Sequence, residues 1–291
     1  MRLSGSDLYA RVSKATSRVQ DDGGLFRRFK DKHQLNDLEF WLVIRFRYFP
    51  GSVTPNDFLT FGPYTSVSKY RDALSSLVQK TLAARASEER YRLAESARKG
   101  IGDTYAEYFA RVARIGDLNE DEAESLFELS DRVYAAAQQQ SEVPVPNLSA
   151  AHSTLPDSSS IWVQLERRLA GLSLYRADAH IAAWREVGYT GPRVELSTAL
   201  FSAPDGLSED QLRAAAPRLD DHDFLSALSA LHSGGEATLR EERYKLTQAG
   251  RAVRQAIEEA TDRNYERPFA VLEDEQIDRM IESLDKVAEP Q

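Results

Sequence analysis

The chain has 291 residues, 42% of them hydrophobic and 29% charged, with a formal net charge of -9. It is long enough for two domains with cores of their own. It holds no cysteine, which excludes disulfides, thiolate catalysis and cysteine-based zinc sites.

No apolar run approaches the length of a membrane span. Residues 1–20 lack the apolar core of an export signal, so a cytoplasmic location without membrane partners is expected. The charge is unevenly spread. Residues 1–114 hold 20 Lys and Arg against 13 Asp and Glu, whereas residues 115–291 hold 17 against 33. A basic first part joined to an acidic remainder suits a protein of which only the first part faces a polyanion. The acidic remainder also serves solubility.

In chain order, residues 5–20 place Leu8, Val12 and Ala15 at helical spacing, and Asp21-Asp22-Gly23-Gly24 breaks the pattern. The basic amphipathic stretch 25–32 fits a membrane surface or a packed helix with a solvated basic face. The packed helix is preferred. Asn36 caps a helix over 38–49 that carries Trp41, Leu42, Ile44 and Phe46 and is expected to be central. Pro50-Gly51 ends it. Thr54-Pro55 opens a short helix, Gly62-Pro63 makes a turn, and Ser66 or Ser68 caps a helix running to 79. A hairpin with Arg85, Arg90 and Arg92 follows. Helices are then expected over 94–114 and 119–138.

Residues 138–160 are rich in Gln, Ser and Pro and read as a linker. Helices over 161–172, 175–187 and 194–202 come next. Ser208 and Gln211 have capping-box spacing, and Pro217 stops the short helix they open. Asp220 or Asp221 caps the next, with Phe224, Leu225, Leu228 and Leu231 at helical spacing, and Gly234-Gly235 ends it. Ala237 to Leu239 and Tyr244 to Leu246 pair across Arg240-Glu241-Glu242-Arg243. Thr247 caps a helix to 258, and a last helix covers 273–287.

Helix, turn, helix, two-stranded wing, helix is the layout of a winged helix, and it occurs twice. At an offset of 154, Pro204 falls on Pro50, Pro217 on Pro63, Ala227-Leu228-Ser229 on Ala73-Leu74-Ser75 and Leu231 on Leu77. At 153, Glu241-Glu242-Arg243-Tyr244 falls on Glu88-Glu89-Arg90-Tyr91. The order of these matches favours a tandem duplication. The expected domains are therefore 1–137 and 161–291, joined by the linker 138–160.

Chemistry-bearing patterns are sparse. None of the five His forms HxH, HxxxH or HExxH, and nucleotide-binding glycine patterns and the GxSxG elbow are absent. Asp178 and His180 stand two apart, a spacing that does not face two side chains on one helix. No catalytic residue, metal site or cofactor is expected. Trp41, Trp162 and Trp184 are assigned to core packing before a pocket.

In the first copy the helix from Ser66 starts with small hydroxyls and bases. Thr65, Ser66, Ser68, Lys69 and Arg71 suit phosphates and base edges, and Arg85, Arg90 and Arg92 of the wing suit the minor groove or backbone. The second copy puts Asp220, Asp221 and Asp223 at the same place. These favour the helix dipole but repel phosphate.

Arg176-Ala-Asp-Ala-His-Ile-Ala-Ala-Trp184, Gly206-Leu-Ser208, Tyr244-Lys-Leu-Thr-x-x-Gly250-Arg251 and Ile257-Glu-Glu-x-Thr261-Asp262 resemble the SalK-like actinobacterial helix-turn-helix proteins. The match is clearest over 176–272. In the first half, Ala94 and Ala97 replace the usual Thr and Gly. That resemblance implies two MarR-type winged-helix units fused in one chain as a pseudo-dimer.

The expected fold is mainly α with two small β-wings about a pseudo-twofold. The expected function is a transcriptional regulator that contacts double-stranded DNA through its first copy, with a small-molecule effector. It would act as a monomeric pseudo-dimer or a homodimer. The alternative is a scaffold or small-molecule binder that uses the interhelical seam and does not touch DNA.

Overall fold

The structure, a computed structural model, describes residues 4–20, 24–112, 118–154 and 158–288. The expected break at Asp21-Asp22-Gly23, the end of the 94–114 helix, residues 155–157 of the expected linker and the side chain of His152 lie outside the described residues. Two compact units are present. One comprises Met1–Pro50, Ala94–Ala182 and Thr261–Gln291; the other comprises Gly51–Leu93 and Ala183–Ala260. Each unit draws on both halves of the chain. Compactness thus follows a different partition from the one suggested by the internal repeat.

Among the described residues, the first unit is all-helical. It contains α1 (Gly5–Val19), α2 (Leu25–Lys32), α3 (Asp37–Arg45) with a 3₁₀ turn over Phe46–Tyr48, α5 (Glu95–Arg111), α6 (Glu120–Gln138) and α7 (Pro146–Thr154). Most of α8 (Ile161–Glu186), the end of α12 (Gln248–Glu266), a 3₁₀ turn over Arg267–Val271 and α13 (Asp274–Ala288) complete it. The helices start where capping chemistry says they should. Asn36 Oδ1 accepts from the Glu39 amide at 2.9 Å, and the Asn36 amide donates to Glu39 Oε2 at 2.8 Å. Asn119 and Glu122 form the same reciprocal pair. The α2 stretch is packed, with Leu25 and Phe29 buried.

Tyr265 is fully buried, edge-on to Tyr9 at 5.8 Å and beside Phe269. Tyr175 donates its hydroxyl to the Asn264 carbonyl at 2.9 Å. His180 Nδ1 lies 3.1 Å from Thr261 Oγ1.

Two sequence expectations fail in this unit. Residues 161–186 are one continuous helix; the Gly171-Leu172-Ser173 stretch does not interrupt it. The segment 138–160 is not structureless either, because α7 lies within it. The cause is distant in sequence. The Asp178 carboxylate accepts from the Asn147 amide at 3.2 Å, the Asn147 side chain at 2.8 Å and the Leu148 amide at 3.0 Å. A carboxylate on α8 therefore satisfies first-turn amides of α7 that no residue of α7 satisfies.

The second unit holds a 3₁₀ turn (Pro55–Thr60), α4 (Val67–Gln79), β1 (Ala83–Arg85) and β2 (Tyr91–Leu93). It then takes α9 (Gly191–Phe201), α10 (Glu209–Ala215), α11 (Asp221–Ser233), β3 (Ala237–Arg240), β4 (Arg243–Leu246) and most of α12. The first short element is 3₁₀ where an α-helix was expected. Both hairpins are antiparallel, with Ala83 opposite Leu93 and Ala237 opposite Leu246. Glu241 and Glu242 form the two-residue turn of the second, both at positive φ (50° and 60°), as a primed hairpin turn requires.

Equivalent positions do equivalent work. Phe58, Tyr70, Leu74 and Leu77 are buried, and so are their counterparts Leu212, Phe224, Leu228 and Leu231. Val53 bridges Tyr91, and Leu207 bridges Tyr244, adding a third short edge to each hairpin. Gly191 is obligatory: a Cβ there would lie 1.7 Å from the Pro63 carbonyl oxygen. Trp184 Nε1 donates to the Tyr64 hydroxyl at 3.1 Å beside that turn.

Candidate nucleic-acid interface

The candidate surface lies in the second unit, on α4 and the hairpin β1–β2. Helix α4 buries Tyr70, Ala73, Leu74 and Leu77, which leaves Arg71 and Asp72 exposed on the opposite side. Arg71 is 51% exposed and makes only a long 4.0 Å approach to Glu89. Arg85 and Arg92 are exposed on the hairpin, and Arg85 leans over the Tyr91 ring at 5.8 Å. These cations can neutralise phosphates without first giving up a strong internal partner.

The remaining sequence candidates are placed differently. Thr65 and Ser66 are buried, at 5% and 1% exposure, so neither hydroxyl can reach a base edge. Ser68 and Lys69 are half-buried. Arg90 is exposed, yet its Nε donates to Ser52 Oγ at 2.9 Å and its Nη2 to the Ser52 carbonyl at 2.5 Å. Arg243, its equivalent, donates Nη2 to the Gly206 carbonyl at 2.6 Å and Nε to the Asp205 carbonyl at 3.2 Å. This arginine ties each hairpin to the strand-like segment before it. Gly206, at φ 81°, passes so close that a Cβ would lie 2.6 Å from the Tyr244 carbonyl oxygen.

One feature was missed from sequence. The N-cap residues of α4 and α11, Ser66 and Asp220, meet each other. The Asp220 amide donates to Ser66 Oγ at 2.9 Å, the Ser68 hydroxyl donates to Asp220 Oδ2 at 2.5 Å, and the Ser66 amide donates to the Arg218 carbonyl at 3.0 Å. Asp220 also caps its own helix by accepting from the Asp223 amide at 2.8 Å. That amide first, and the Ser68 hydroxyl second, hold the Asp220 carboxyl below the ordinary carboxylate range. The only sequence signal was the offset itself, which makes Ser66 and Asp220 equivalent positions.

The clasp limits how DNA can be read. Recognition helices that serve two half-sites are spaced by about one duplex turn, roughly 34 Å. Here the two helix starts are one hydrogen bond apart, so α4 and α11 of one chain cannot occupy successive major grooves.

The second copy is also different in surface chemistry. Leu225 and Leu239, at the positions of Arg71 and Arg85, are 52% and 49% exposed. Asp223 stands at the position of Lys69, while Lys245 at the position of Arg92 and the anchoring Arg243 at that of Arg90 keep the charge.

Among the described residues, no group of three or more His, Asp or Glu could hold a metal ion, and no helix is long and apolar enough to cross a membrane. Of the three tryptophans, Trp184 is buried beside Tyr64, Trp162 packs on the helical core and Trp41 faces the Arg45 guanidinium at 5.3 Å.

The chain is mainly helical with two small antiparallel hairpins, each preceded by a short helical turn and a longer helix. The chain belongs to a helix-turn-helix family, whose model matches residues 67–290, from the first residue of α4 almost to the end. That membership points to DNA binding in general. Neither a curated protein nor a solved structure matches the chain.

Proposed function

We propose that the protein is a cytoplasmic transcriptional regulator of MarR-like winged-helix type, built from two winged-helix copies related by a pseudo-twofold. The domains in this reading are 1–137 and 161–291, and the first makes the DNA contact. The observation that carries it is the exposed set Arg71, Arg85 and Arg92, of which two have leucine at the equivalent positions of the second copy. Lys69, Arg71 and Ser68 face the major groove, and Arg85 and Arg92 hold the backbone or minor groove. Thr65 and Ser66 shape the helix start, and Arg90 stiffens the wing. With one reading surface per chain, a second chain supplies the second half-site.

The test is fluorescence anisotropy with random duplex DNA across a salt series. Binding that weakens steeply with salt supports the assignment, because each neutralised phosphate releases counterions. Absence of binding at low salt overturns it. The second reading is a winged-helix scaffold or small-molecule binder that leaves DNA alone. The N-cap clasp favours it, since it joins the two helix starts that a two-site reader keeps apart.

A further inference from the structure

Between residues 224 and 239 the chain holds a single charged residue, Glu236. It is buried and paired with Arg193 at 2.7 Å. On the proposed repeat, the equivalent stretch 70–85 holds Arg71, Asp72, Lys80 and Arg85. The loss of charge is local, because residues 115–291 as a whole hold 17 Lys and Arg and 33 Asp and Glu. The solvent side of α11 is therefore neutral beyond its first turn. His222, Leu225, Ser229 and His232 are exposed along it, at the spacing that places side chains on one helical stripe.

This side is also apolar. Leu225 (52%) and Leu239 (49%) are the two most exposed large hydrophobic residues among those described. Leu239 shares its hairpin face with the buried Ala237 but lies past the edge of the core. It stands opposite Tyr244, which is half-buried, whereas its equivalent Tyr91 is 2% exposed. The helix and the hairpin tip lie on one side. At the equivalent positions of Leu225 and Glu242, Arg71 reaches to 4.0 Å from Glu89 across the same gap. A centre depleted of charge that exposes large apolar side chains is the composition of an interface core.

The rim says what covers it. Arg240, Glu241 and Glu242 stand together at the exposed hairpin tip. At the other end, Asp221 is neutralised by Arg213 at 2.6 Å. A polyanion would meet the two turn carboxylates, and a partner of either single sign finds no matching field. A twofold contact sets a patch against itself, and a neutral centre with a mixed-sign rim satisfies that condition. It also lets copies of a chain of net charge -9 meet without like-charge repulsion.

We infer that the exposed side of α11, with the tip of the β3–β4 hairpin, is a homodimer interface whose occupant is the same face of a second copy of this chain. The inference deepens the proposed function and rests on it for the need of a second reading surface. Arg71, Arg85 and Arg92 lie outside the contact. Helix α11 has 13 residues and is roughly 20 Å long. With its hairpin it offers a patch at the small end of stable interfaces, which bury about 800 Å² per partner.

The test uses the full chain without DNA. Sedimentation velocity from about 1 to about 300 µM should show monomer passing to dimer, with a dissociation constant in the micromolar range. Leu225→Glu with Leu239→Glu should weaken the dimer by at least about 30-fold, because like charges then face each other. Leu225→Lys with Leu239→Lys should do the same. An equal mixture of the two variants should recover a dimer at least about 10-fold tighter than either variant forms alone. Circular dichroism checks that each variant folds. Where one does not, diethyl pyrocarbonate labelling of the native chain decides: His222 and His232 should lose reactivity by at least about 3-fold between about 1 and about 300 µM. Duplex binding is read separately at nanomolar protein, where the chain is monomeric and the face open, so failure of the dimer and failure of the DNA reading are told apart. A native chain that stays monomeric throughout, a dimer untouched by either double substitution, or histidines equally reactive at both concentrations overturns the inference.

Discussion

On the proposed repeat, the two helix–turn–helix segments share a skeleton and differ in what they show to solvent. Equivalent residues form their cores, bridge their hairpins and anchor those hairpins through Arg90 and Arg243. Yet Arg71 and Arg85 face solvent in one copy, and Leu225 and Leu239 face it in the other. Packing positions are constrained by neighbours on every side, so they tolerate little beyond a change of similar volume. Surface positions answer only to a partner. On the function proposed above, the two segments meet different partners, and the cationic one faces the phosphate backbone.

Substitutions can break or sharpen this contrast. Replacing Arg71, Arg85 and Arg92 together by Ala should weaken duplex binding by about 100-fold at low salt and reduce the salt slope by about 2 to 3, read by anisotropy. The converse change, Leu225→Arg with Leu239→Arg, should raise affinity by about 10-fold and add to the slope. No gain would mean that the second copy is turned away from the duplex.

A smaller contrast concerns the N-caps. Asp220→Ala removes the cap of α11 and the acceptor for Ser68, and should cost about 1–2 kcal/mol in thermal or denaturant unfolding. Ser66→Ala removes only the acceptor for the Asp220 amide and should cost less, about 1 kcal/mol.

The caps also differ in response to acid. The folded pKa of Asp220 lies below the unfolded value of 3.8, so its contribution is present above that pH and is lost as pH falls through the lower folded value. Asp220→Ser, which copies the cap of α4, should remove that acid-sensitive part of the stability curve. Asp178 provides the opposite sign. Burial raises its carboxyl from 3.8 to about 6. Its contribution is therefore full below about pH 4 and is lost as pH rises toward 6. Asp178→Asn should flatten that limb, measured by unfolding at a series of pH values. The smallest contrast is a predicted equality: Arg90→Ala and Arg243→Ala should each cost about 1 kcal/mol, since both remove the same hairpin anchor.

Much of the fold was legible because its signals are local. Asn36, Asn119, Ser208 and Asp220 announce helix starts through bonds to residues three positions on, and the strands of the second hairpin were legible to within a residue of their observed ends. What was not legible depends on residues far apart in the chain. Helix α7 was hidden in a polar, proline-rich stretch because its cap, Asp178, lies about thirty residues on and on another helix. The N-cap clasp joins residues 154 positions apart. The candidate DNA residues were legible as charges but not as exposures: nothing local distinguishes Arg71, which is open, from Arg90, which anchors the hairpin.

The most direct test is arginine footprinting. The protein is treated with phenylglyoxal with and without duplex DNA, and modification is read residue by residue by mass spectrometry. The account predicts protection of Arg71, Arg85 and Arg92 by the duplex, with Arg240 and Arg251 of the second copy modified equally in both samples. Equal protection of both copies, or protection confined to the second, would contradict it.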